Sequence, residues 1–320
     1  MKKGIELGKD DIIHILKHYS INAFKSYKKL WWSLENEVYE IKVSKKTYIL
    51  KRLRECDEKY LLWNIQLTEK LRKKGIPTPQ TYQTREGSYL PLYKGKRMIL
   101  QEYVPGKEMK KGDKKFVREF ARNLGKLDKE LYAQGVKGKY LWKKFGHQFD
   151  PAWYRSSAII EEFDFNKAEK GVIKELQEEV NKKKLKKSII HADYQLNNLK
   201  VQKGKVTAIL DFGDMHEDYL AFEVAIALNH LFFIERKADK KYISLFFTEY
   251  QRYISLNLDE KKAIYYFIKL RMLSGIVWCD LHRKKHPKKA KKLTKWLKGT
   301  IWNYQEFEKL SLPEFLKLIR

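Results

Sequence analysis

Two acidic residues stand at the ends of two short apolar runs in a chain that is otherwise rich in lysine. Residues 188–190 lead to Asp193 and residues 206–210 lead to Asp211, with Asn198 and a short hairpin between them. The apolar runs are typical of buried strands. A carboxylate at the end of a buried strand is costly unless hydrogen bonds, a cation or a ligand satisfies it. The pattern therefore predicts two strands that present carboxylates to a positively charged partner.

The spacing of these residues matches an order found in protein kinases. Asn198 follows Asp193 by five positions, and Asp211 opens the sequence DFGD after a turn at Lys203 and Gly204. Protein kinases place a catalytic-loop aspartate, an asparagine five positions later and the aspartate of a DFG element in the same order. A carboxylate can orient an acceptor hydroxyl and take its proton, while an amide oxygen and a second carboxylate can hold Mg²⁺ against nucleotide phosphates. We therefore predict that the positive partner is Mg²⁺ bound to ATP.

The length and composition indicate a globular protein. The chain has 320 residues, of which 43% are hydrophobic, so it can bury a large core. Its most apolar stretch, AFEVAIALNHLFFI, is interrupted by Glu223, Asn229 and His230, and no apolar signal core follows the first lysines. Its cysteines, Cys56 and Cys279, lie in no paired or metal-binding motif. These features predict a cytoplasmic, disulfide-free protein that has no membrane partner.

The net charge of +28 is the extreme value in the composition. Such a charge suits a nucleic acid, an anionic membrane surface or an anionic ligand such as a nucleotide. It also suits a surface on which lysines serve only solubility. Dense basic blocks occur only at residues 181–187 and 282–295, and no nucleic-acid-reading motif accompanies them. We favour a solvated basic surface over a nucleic-acid partner, and a binding role for that surface stays open.

The secondary-structure signals change along the chain. Residues 31–54 alternate between apolar and polar side chains about a turn at residues 44–46, as in a β-hairpin or meander. The apolar positions are Val38, Ile41 and Val43 before the turn and Tyr48 and Leu50 after it. Residues 58–74 have apolar side chains at helical spacing and end at Gly75, a helix stop signal. A further strand pattern ends at Pro105–Gly106, and the remainder is mostly helical in pattern. We predict a small strand-rich part followed by a larger helical part.

The two acidic motifs resemble the Brenner-type motif of the aminoglycoside phosphotransferase and choline kinase superfamily. Here they read HADYQLNN and ILDFGD, and the superfamily has HxD, an Asn five places after the Asp, and then DF or DW. The resemblance covers most of the chain from Ile12 to His230. It includes a nucleotide-covering hairpin in NEVYEIKVSKKTYILKRLR and a hinge in ILQEYVPGKEM. It also includes a helix in EFARNLGKLDKE, where Asp128 replaces a histidine frequent in relatives.

This resemblance implies a fold and a set of site residues. The fold is α+β and protein-kinase-like, with a small antiparallel-sheet N-lobe in residues 1–104 that covers the nucleotide. A larger, mainly helical C-lobe in residues 105–320 carries the catalytic and metal-binding loops. By the same resemblance, Asp193 is the catalytic base, and Asn198 and Asp211 are the Mg²⁺ ligands. Lys51 binds the α- and β-phosphates of ATP. The backbones of Glu102 and Val104 bind the adenine, and Ser33 and Asn36 cover the phosphates.

One position departs from the superfamily pattern. Many relatives pair the strand lysine with a helix glutamate, and an ungapped alignment places Asn64 at that position. Either Lys51 lacks this ion pair, or a shifted residue such as Glu69 supplies it.

The acceptor is less constrained than the reaction. DFGDMHEDYLAFEVAIAL resembles hydroxylysine kinases, LRMLSGIVWCDLHRK resembles homoserine kinases, and YILKRLRECDEKYLLW resembles spore-coat kinase-like proteins of the CotS type. No long segment ending in Ala-Pro-Glu follows DFGD, which disfavours a protein acceptor. We therefore predict a small-molecule kinase that phosphorylates a hydroxyl group of an amino acid, amino alcohol or related amine.

Two aspects of this prediction stay open. The alternative function is a spore-coat protein that uses a kinase-like scaffold with little or no catalysis, which would make the protein spore-associated. The acceptor, the choice between ATP and GTP, and the oligomeric state are not fixed by the sequence. Side chains that could bind an ammonium group of the acceptor are Asp214, Glu217, Asp218 and Asp280 by charge, and Trp278 or Trp302 by cation–π contact.

Overall fold

The computed structural model divides the chain into two compact units. It describes residues 6–30, 36–53, 57–108, 114–137, 159–160, 163–233 and 240–319. The first unit comprises Met1–Lys107 and Thr207–Gly213, and the second comprises Glu108–Val206 and Asp214–Arg320. The first unit thus includes the short segment that carries Asp211. The lobe boundary at residue 104 stays a prediction.

The first unit is built around an antiparallel sheet. Its strands follow the order β1-β2-β3-β6-β4, and β5 pairs with β6 at one end. The elements up to the start of the second unit are α1 (Lys9–His18), β1 (Phe24–Leu30), β2 (Glu37–Val43), β3 (Lys46–Arg52), α2 (Glu58–Lys73), β4 (Thr81–Tyr82), β5 (Leu92–Tyr93), β6 (Lys96–Glu102) and β7 (Lys107–Glu108).

The hairpin predicted within residues 31–54 is confirmed as β2 and β3. Tyr39 and Ile41 of β2 and Leu50 of β3 are buried together with Ile12 of α1. Successive side chains of a strand point to opposite faces of the sheet. Lys51, next to Leu50, is therefore directed to the face opposite this core.

Helix α2 begins and ends where local chemistry predicts. The Asp57 carboxylate accepts a hydrogen bond from the Tyr60 N–H group and caps the N-terminus. Gly75 follows the helix with a φ of +85°, a left-handed conformation that glycine adopts without strain. The predicted helix at residues 58–74 is thereby confirmed.

The second unit is mainly helical, as predicted. Its long helix α7 packs against α5 and α8, and α3 packs against α6 and β10. Strand β10 pairs antiparallel with β13. The remaining elements of the chain are α3 (Lys114–Tyr132), β8 (Ile159–Ile160), β9 (Phe163–Asp164), α4 (Phe165–Glu179), β10 (Lys187–Ile190), β11 (Leu199–Gln202), β12 (Lys205–Ile209), β13 (His216–Tyr219), α5 (Leu220–Leu228), α6 (Lys240–Tyr250), α7 (Leu258–Lys285), α8 (Ala290–Glu308) and α9 (Leu312–Leu318). The last three residues of β12 belong to the first unit.

These elements confirm the predicted α+β class, with an antiparallel sheet early in the chain and helices later. The predicted turn between β11 and β12 is also present, with Lys203 and Gly204 at φ values of +51° and +74°. Within the described part of the chain, no helix has both the length and the hydropathy that crossing a membrane requires.

Candidate active site

The loop that follows β10 belongs to the second unit, and buried side chains hold its backbone by hydrogen bonds. His191 is fully buried, and its Nδ1 accepts a hydrogen bond from the Asp193 N–H group at 3.2 Å. Ala192 has a φ of +65°, and its N–H group donates to Glu223 Oε2 at 2.7 Å. A non-glycine residue in this conformation costs about 1–3 kcal/mol, and such residues are frequent at functional sites. The buried contacts therefore hold the loop in one strained shape.

Hydrogen-bond donors surround the carboxylate of Asp193. Its Oδ2 accepts from Gln195 Nε2 at 2.8 Å and from Asn198 Nδ2 at 2.7 Å. Its Oδ1 lies 3.3 Å from Arg271 Nη2. The side chain is 19% exposed. Because all these donors favour the ionised carboxylate and the group still reaches solvent, Asp193 is suited to accept a proton.

The side chain of Asn198 has a defined orientation. Its Nδ2 donates to the Asp193 carbonyl at 2.9 Å as well as to the Asp193 carboxylate. This use of the amide nitrogen leaves Oδ1, a hard oxygen acceptor, for another partner. Mg²⁺ prefers oxygen ligands of this kind, so the geometry of Asn198 fits a metal ligand.

Two buried carboxyl groups, those of Glu223 and Asp128, belong to the surroundings of this loop. Burial raises the pKa of Glu223 to about 7, although the Ala192 N–H group acts in the opposite direction. Burial also raises the pKa of Asp128, and the charge of Glu223 raises it further. Tyr250 donates its hydroxyl to Asp128 Oδ2 at 2.7 Å, and Glu223 Oε1 and Asp128 Oδ1 have no hydrogen-bond partner in the described residues. The environment therefore favours protonated carboxyl groups at these two positions.

Asp211 belongs to the first unit. Ile209, two residues before it, donates its N–H group to the Pro77 carbonyl at 2.7 Å. Asp211 has a φ of +62°, and its side chain is 59% exposed. Lys51 Nζ lies 3.4 Å from Asp211 Oδ1. The structure thus brings two of the predicted site residues, one assigned to metal and one to phosphates, into a single cluster.

Helix α2 fixes the turn that follows Asp211. Buried Asn64 donates its Nδ2 hydrogen to the Phe212 carbonyl, and Tyr60 donates its hydroxyl to the Gly213 carbonyl at 2.7 Å. Asn64 therefore supports the backbone of this motif and does not pair with Lys51.

The partner of Lys51 is Asp211 rather than a glutamate of α2. Glu69, the other residue considered, accepts hydrogen bonds from Arg72 Nε at 3.0 Å and from the Thr81 N–H group at 2.8 Å. It stabilises the start of β4 instead. Of the two alternatives, the contacts among the described residues favour the one in which Lys51 has no ion pair with a glutamate of α2.

The residues assigned to the nucleotide are described in part. The Glu102 N–H group donates to the Gln80 carbonyl at 2.8 Å, so only the Glu102 carbonyl could serve an adenine. Val104 and Asn36 are half-buried. Ser33 lies outside the described residues. The roles of all four stay predictions.

Three acidic residues that were predicted to attract an ammonium group have internal partners. Asp280 is buried and lies 2.9 Å from Arg283 and 2.6 Å from Lys284. Glu217 accepts a hydrogen bond from the Lys137 N–H group, and Asp218 accepts one from the Tyr219 N–H group. These contacts give the three carboxylates a role in the fold, and the binding of an ammonium group by them or by Asp214 stays a prediction.

The described residues offer oxygen donors for a metal ion but no self-contained cluster of ligands. Among the described residues, no group of three or more His, Cys, Asp or Glu side chains could hold a metal ion alone. Mg²⁺ in nucleotide-dependent enzymes usually takes one or two protein ligands and completes its shell with phosphate oxygens and water. Asn198 in the second unit offers an amide oxygen and Asp211 in the first unit offers a carboxylate, and each is an oxygen donor of the kind that Mg²⁺ prefers.

The sequence prediction missed Gln195, Glu223 and Arg271. Gln195 lies inside the catalytic motif, so its contact with Asp193 is local. Glu223 and Arg271 are charged residues inside apolar helical segments, AFEVAIAL and LRMLSGIV. A charge is retained in a buried segment only when a partner satisfies it, and that signal could have identified both residues.

Comparison with known proteins supports this description. The model of the phosphotransferase enzyme family matches residues 26–253. The homoserine kinase of Rhizobium etli is 26% identical over 237 residues, which cover 70% of each chain. An amicoumacin kinase in complex with AMP-PNP and Ca²⁺ superimposes with a TM-score of 0.73 at 18% identity, over 97% of both chains. A microcompartment-associated aminopropanol kinase gives a TM-score of 0.74 at 16% identity, over 96% of this chain and 98% of that one.

These similarities settle the fold and the broad activity. The structural matches confirm the predicted kinase-like fold. The family match and the kinase relatives confirm the prediction of a small-molecule kinase that acts on a hydroxyl group. The family model matches more than half of the length of this chain, and the chain therefore belongs to the phosphotransferase enzyme family.

Proposed function

We propose that the protein transfers the terminal phosphoryl group of Mg²⁺-bound ATP to the hydroxyl group of a small amino acid, amino alcohol or related amine. The observation that carries the proposal is the contact between Asp193 and Asn198. The side-chain nitrogen of Asn198 donates a hydrogen bond to the Asp193 carboxylate at 2.7 Å. The side-chain oxygen of Asn198 is therefore available to another ligand. A proton acceptor and a metal ligand are thereby held in one short loop.

Asp193 performs the proton step in this proposal. It accepts a hydrogen bond from the acceptor hydroxyl and orients the hydroxyl oxygen toward the terminal phosphorus. A bond forms between that oxygen and the phosphorus, the bond from the phosphorus to the bridging oxygen breaks, and its electron pair leaves with ADP. Asp193 takes the hydroxyl proton as the new ester forms. Gln195 and Asn198 keep the carboxylate in place during this step.

The remaining residues bind the nucleotide and its metal. We assign Asn198 and Asp211 as the ligands of Mg²⁺, which would supply positive charge against the phosphate oxygens. Lys51, which lies 3.4 Å from Asp211, is assigned to the α- and β-phosphates. The Glu102 carbonyl and the Val104 N–H group are assigned to the adenine, and Ser33 and Asn36 to the phosphate cover.

The acceptor class is supported by relatives of two kinds. The homoserine kinase of Rhizobium etli and the aminopropanol kinase are named for acceptors that carry both a hydroxyl and an amine. None of the described residues supplies an observation that favours the spore-coat alternative, which stays a hypothesis, as does the cytoplasmic location.

The proposal is tested by an ADP-release screen. The purified protein is incubated with Mg²⁺ and ATP and with hydroxy amino acids, amino alcohols, aminoglycosides or sugars, and the Asp193→Asn variant serves as the blank. We expect acceptor-dependent release with a hydroxyl-bearing amine and none from the variant. Release with a protein or RNA acceptor but with none of the small molecules would contradict the proposal.

A further inference from the structure

Arg271 is a cation beside the proposed catalytic base, Asp193. The proposed reaction gives Arg271 no role. Its Nη2 lies 3.3 Å from Asp193 Oδ1, and its side chain is 27% exposed. A guanidinium group carries five N–H donors in a planar fork. Among the residues that the structure describes, Asp193 is the only acceptor within hydrogen-bond distance of this group. Most of its donors therefore remain available to a ligand.

Arg271 lies on a narrow open stripe of an otherwise buried helix. In α7, every residue from 263 to 280 is buried except Arg271, Gly275 and Trp278. The spacing of four and then three residues puts these three on one helical face. The stripe presents a cation, a position without a side chain and an aromatic ring. Trp278 is held by stacking on His282, at 4.2 Å between ring centroids.

The charge along this stripe selects for an anionic group. Asp280, two residues after Trp278 in α7, is buried and paired with Arg283 and Lys284, so it does not compete for Arg271. The fork of an arginine matches the two oxygens of a carboxylate, and such charge-assisted pairs are about twice as strong as neutral hydrogen bonds. A ligand whose hydroxyl group meets Asp193 would place a carboxylate a few bonds away within reach of Arg271.

We propose that Arg271 is a specificity residue that binds the carboxylate of the acceptor, so that the preferred acceptor is a hydroxy amino acid rather than an amino alcohol. This inference builds on the proposed function, since it names the substrate class of the same site. It separates the two kinds of acceptor that the relatives of this chain leave open. It assigns Arg271 to substrate binding and leaves the proton step to Asp193.

Two matched pairs of acceptors test the inference. L-Homoserine and 3-amino-1-propanol differ only by the carboxylate, as do L-serine and ethanolamine. We compare kcat and KM for each compound with the wild-type protein, Arg271→Gln and Arg271→Lys. Arg252→Gln is the matched control, because it removes the same charge from a residue that is 56% exposed and pairs with Glu249.

We expect a change in acceptor KM that depends on the carboxylate. Arg271→Gln should raise the KM of the carboxylate-bearing member about 10- to 100-fold and that of its partner by less than about threefold. Arg271→Lys should recover part of the loss, and Arg252→Gln should behave as wild type. An equal fall in kcat with both members of a pair would mean that Arg271 only positions Asp193 or contacts the transferred phosphate, and would overturn the inference.

Failure of the inference and failure of the proposed function give different results. If ADP release depends on Asp193 but favours the carboxylate-free compounds in the wild-type protein, the function holds and the inference falls. If no acceptor supports ADP release, the role of Arg271 is tested by calorimetric titration of the protein with L-homoserine in the presence of Mg²⁺ and ADP. Binding to the wild-type protein that is lost in Arg271→Gln supports the inference, and no binding to the wild-type protein overturns it.

Discussion

The side-chain amide of Asn198 donates hydrogen bonds to both the carboxylate and the backbone carbonyl of Asp193, at 2.7 and 2.9 Å. Two residues that are separated by five positions are thus fixed to each other. The orientation of Asn198 Oδ1 follows from this contact, because the amide nitrogen is already used. The proposed proton acceptor and the proposed metal ligand therefore depend on a single local geometry.

Asp211→Asn should abolish metal-dependent nucleotide binding without unfolding the protein. Asparagine tolerates the φ of +62° at this position, and the side chain is 59% exposed, so the melting temperature without ligand should change little. In the wild-type protein we expect ATP to raise the melting temperature only when Mg²⁺ is present. A thermal-shift titration measures this effect. Full retention of the Mg²⁺-dependent shift in the variant would remove Asp211 from the metal site.

Asn64→Leu should destabilise the protein, because it removes the donor that satisfies the buried Phe212 carbonyl. Removing one partner of a buried hydrogen bond costs about 1–3 kcal/mol. The measurement is the free energy of unfolding in urea. Gln66→Leu, an exposed position on the same helix, is the control and should change the free energy by less than about 0.5 kcal/mol. Equal losses in both variants would mean that the Asn64 contact contributes nothing.

The stability of the protein should fall as the pH rises from about 4.5 to about 7, in part because of Glu223. Burial raises the pKa of this group from 4.5 to about 7 in the folded protein, so the folded state keeps a proton that the unfolded state has lost over this range. The stabilisation is complete below pH 4.5 and is lost as the pH passes through the folded pKa. Urea midpoints measured from pH 5 to pH 8 should show this decline.

Glu223→Gln should flatten that dependence on pH. Glutamine does not titrate, and its side-chain oxygen can still accept the Ala192 N–H group. Some slope should persist, because burial also raises the pKa of Asp128. Glu178→Gln, whose side chain is 63% exposed in the wild-type protein, is the matched control and should leave the profile unchanged. An unaltered profile in Glu223→Gln would contradict the assignment of this titration to Glu223.

Features that depend on neighbouring residues could be predicted from the sequence. The alternation that includes Ile41, Val43 and Leu50 predicted the hairpin, and Gly75 predicted the end of α2, because strand period and helix termination are local properties. The contact between Asp193 and Asn198 is also local. Strand β1 was not predicted, since most of its residues are polar and exposed and so give no apolar alternation.

Features that depend on distant contacts could not be predicted in the same way. Arg271 meets Asp193 across a separation of 78 residues, and Asn64 meets Phe212 across 148. No spacing rule links residues so far apart. The charged side chains of Glu223 and Arg271 inside apolar helices showed that partners exist, but only the fold shows which residues these are.

The proposed reaction depends most directly on Asp193 as the base that activates a small-molecule hydroxyl. The decisive measurement is the rate at which the wild-type protein and Asp193→Asn form a phosphate ester, followed by ³¹P NMR with Mg²⁺, ATP and the acceptor found by the ADP-release screen. We predict ester formation by the wild-type protein and a kcat about 10²- to 10⁴-fold lower in the variant, with the affinity for ATP changed by less than about twofold. Equal rates of ester formation by the two proteins would contradict the role of Asp193 as the base.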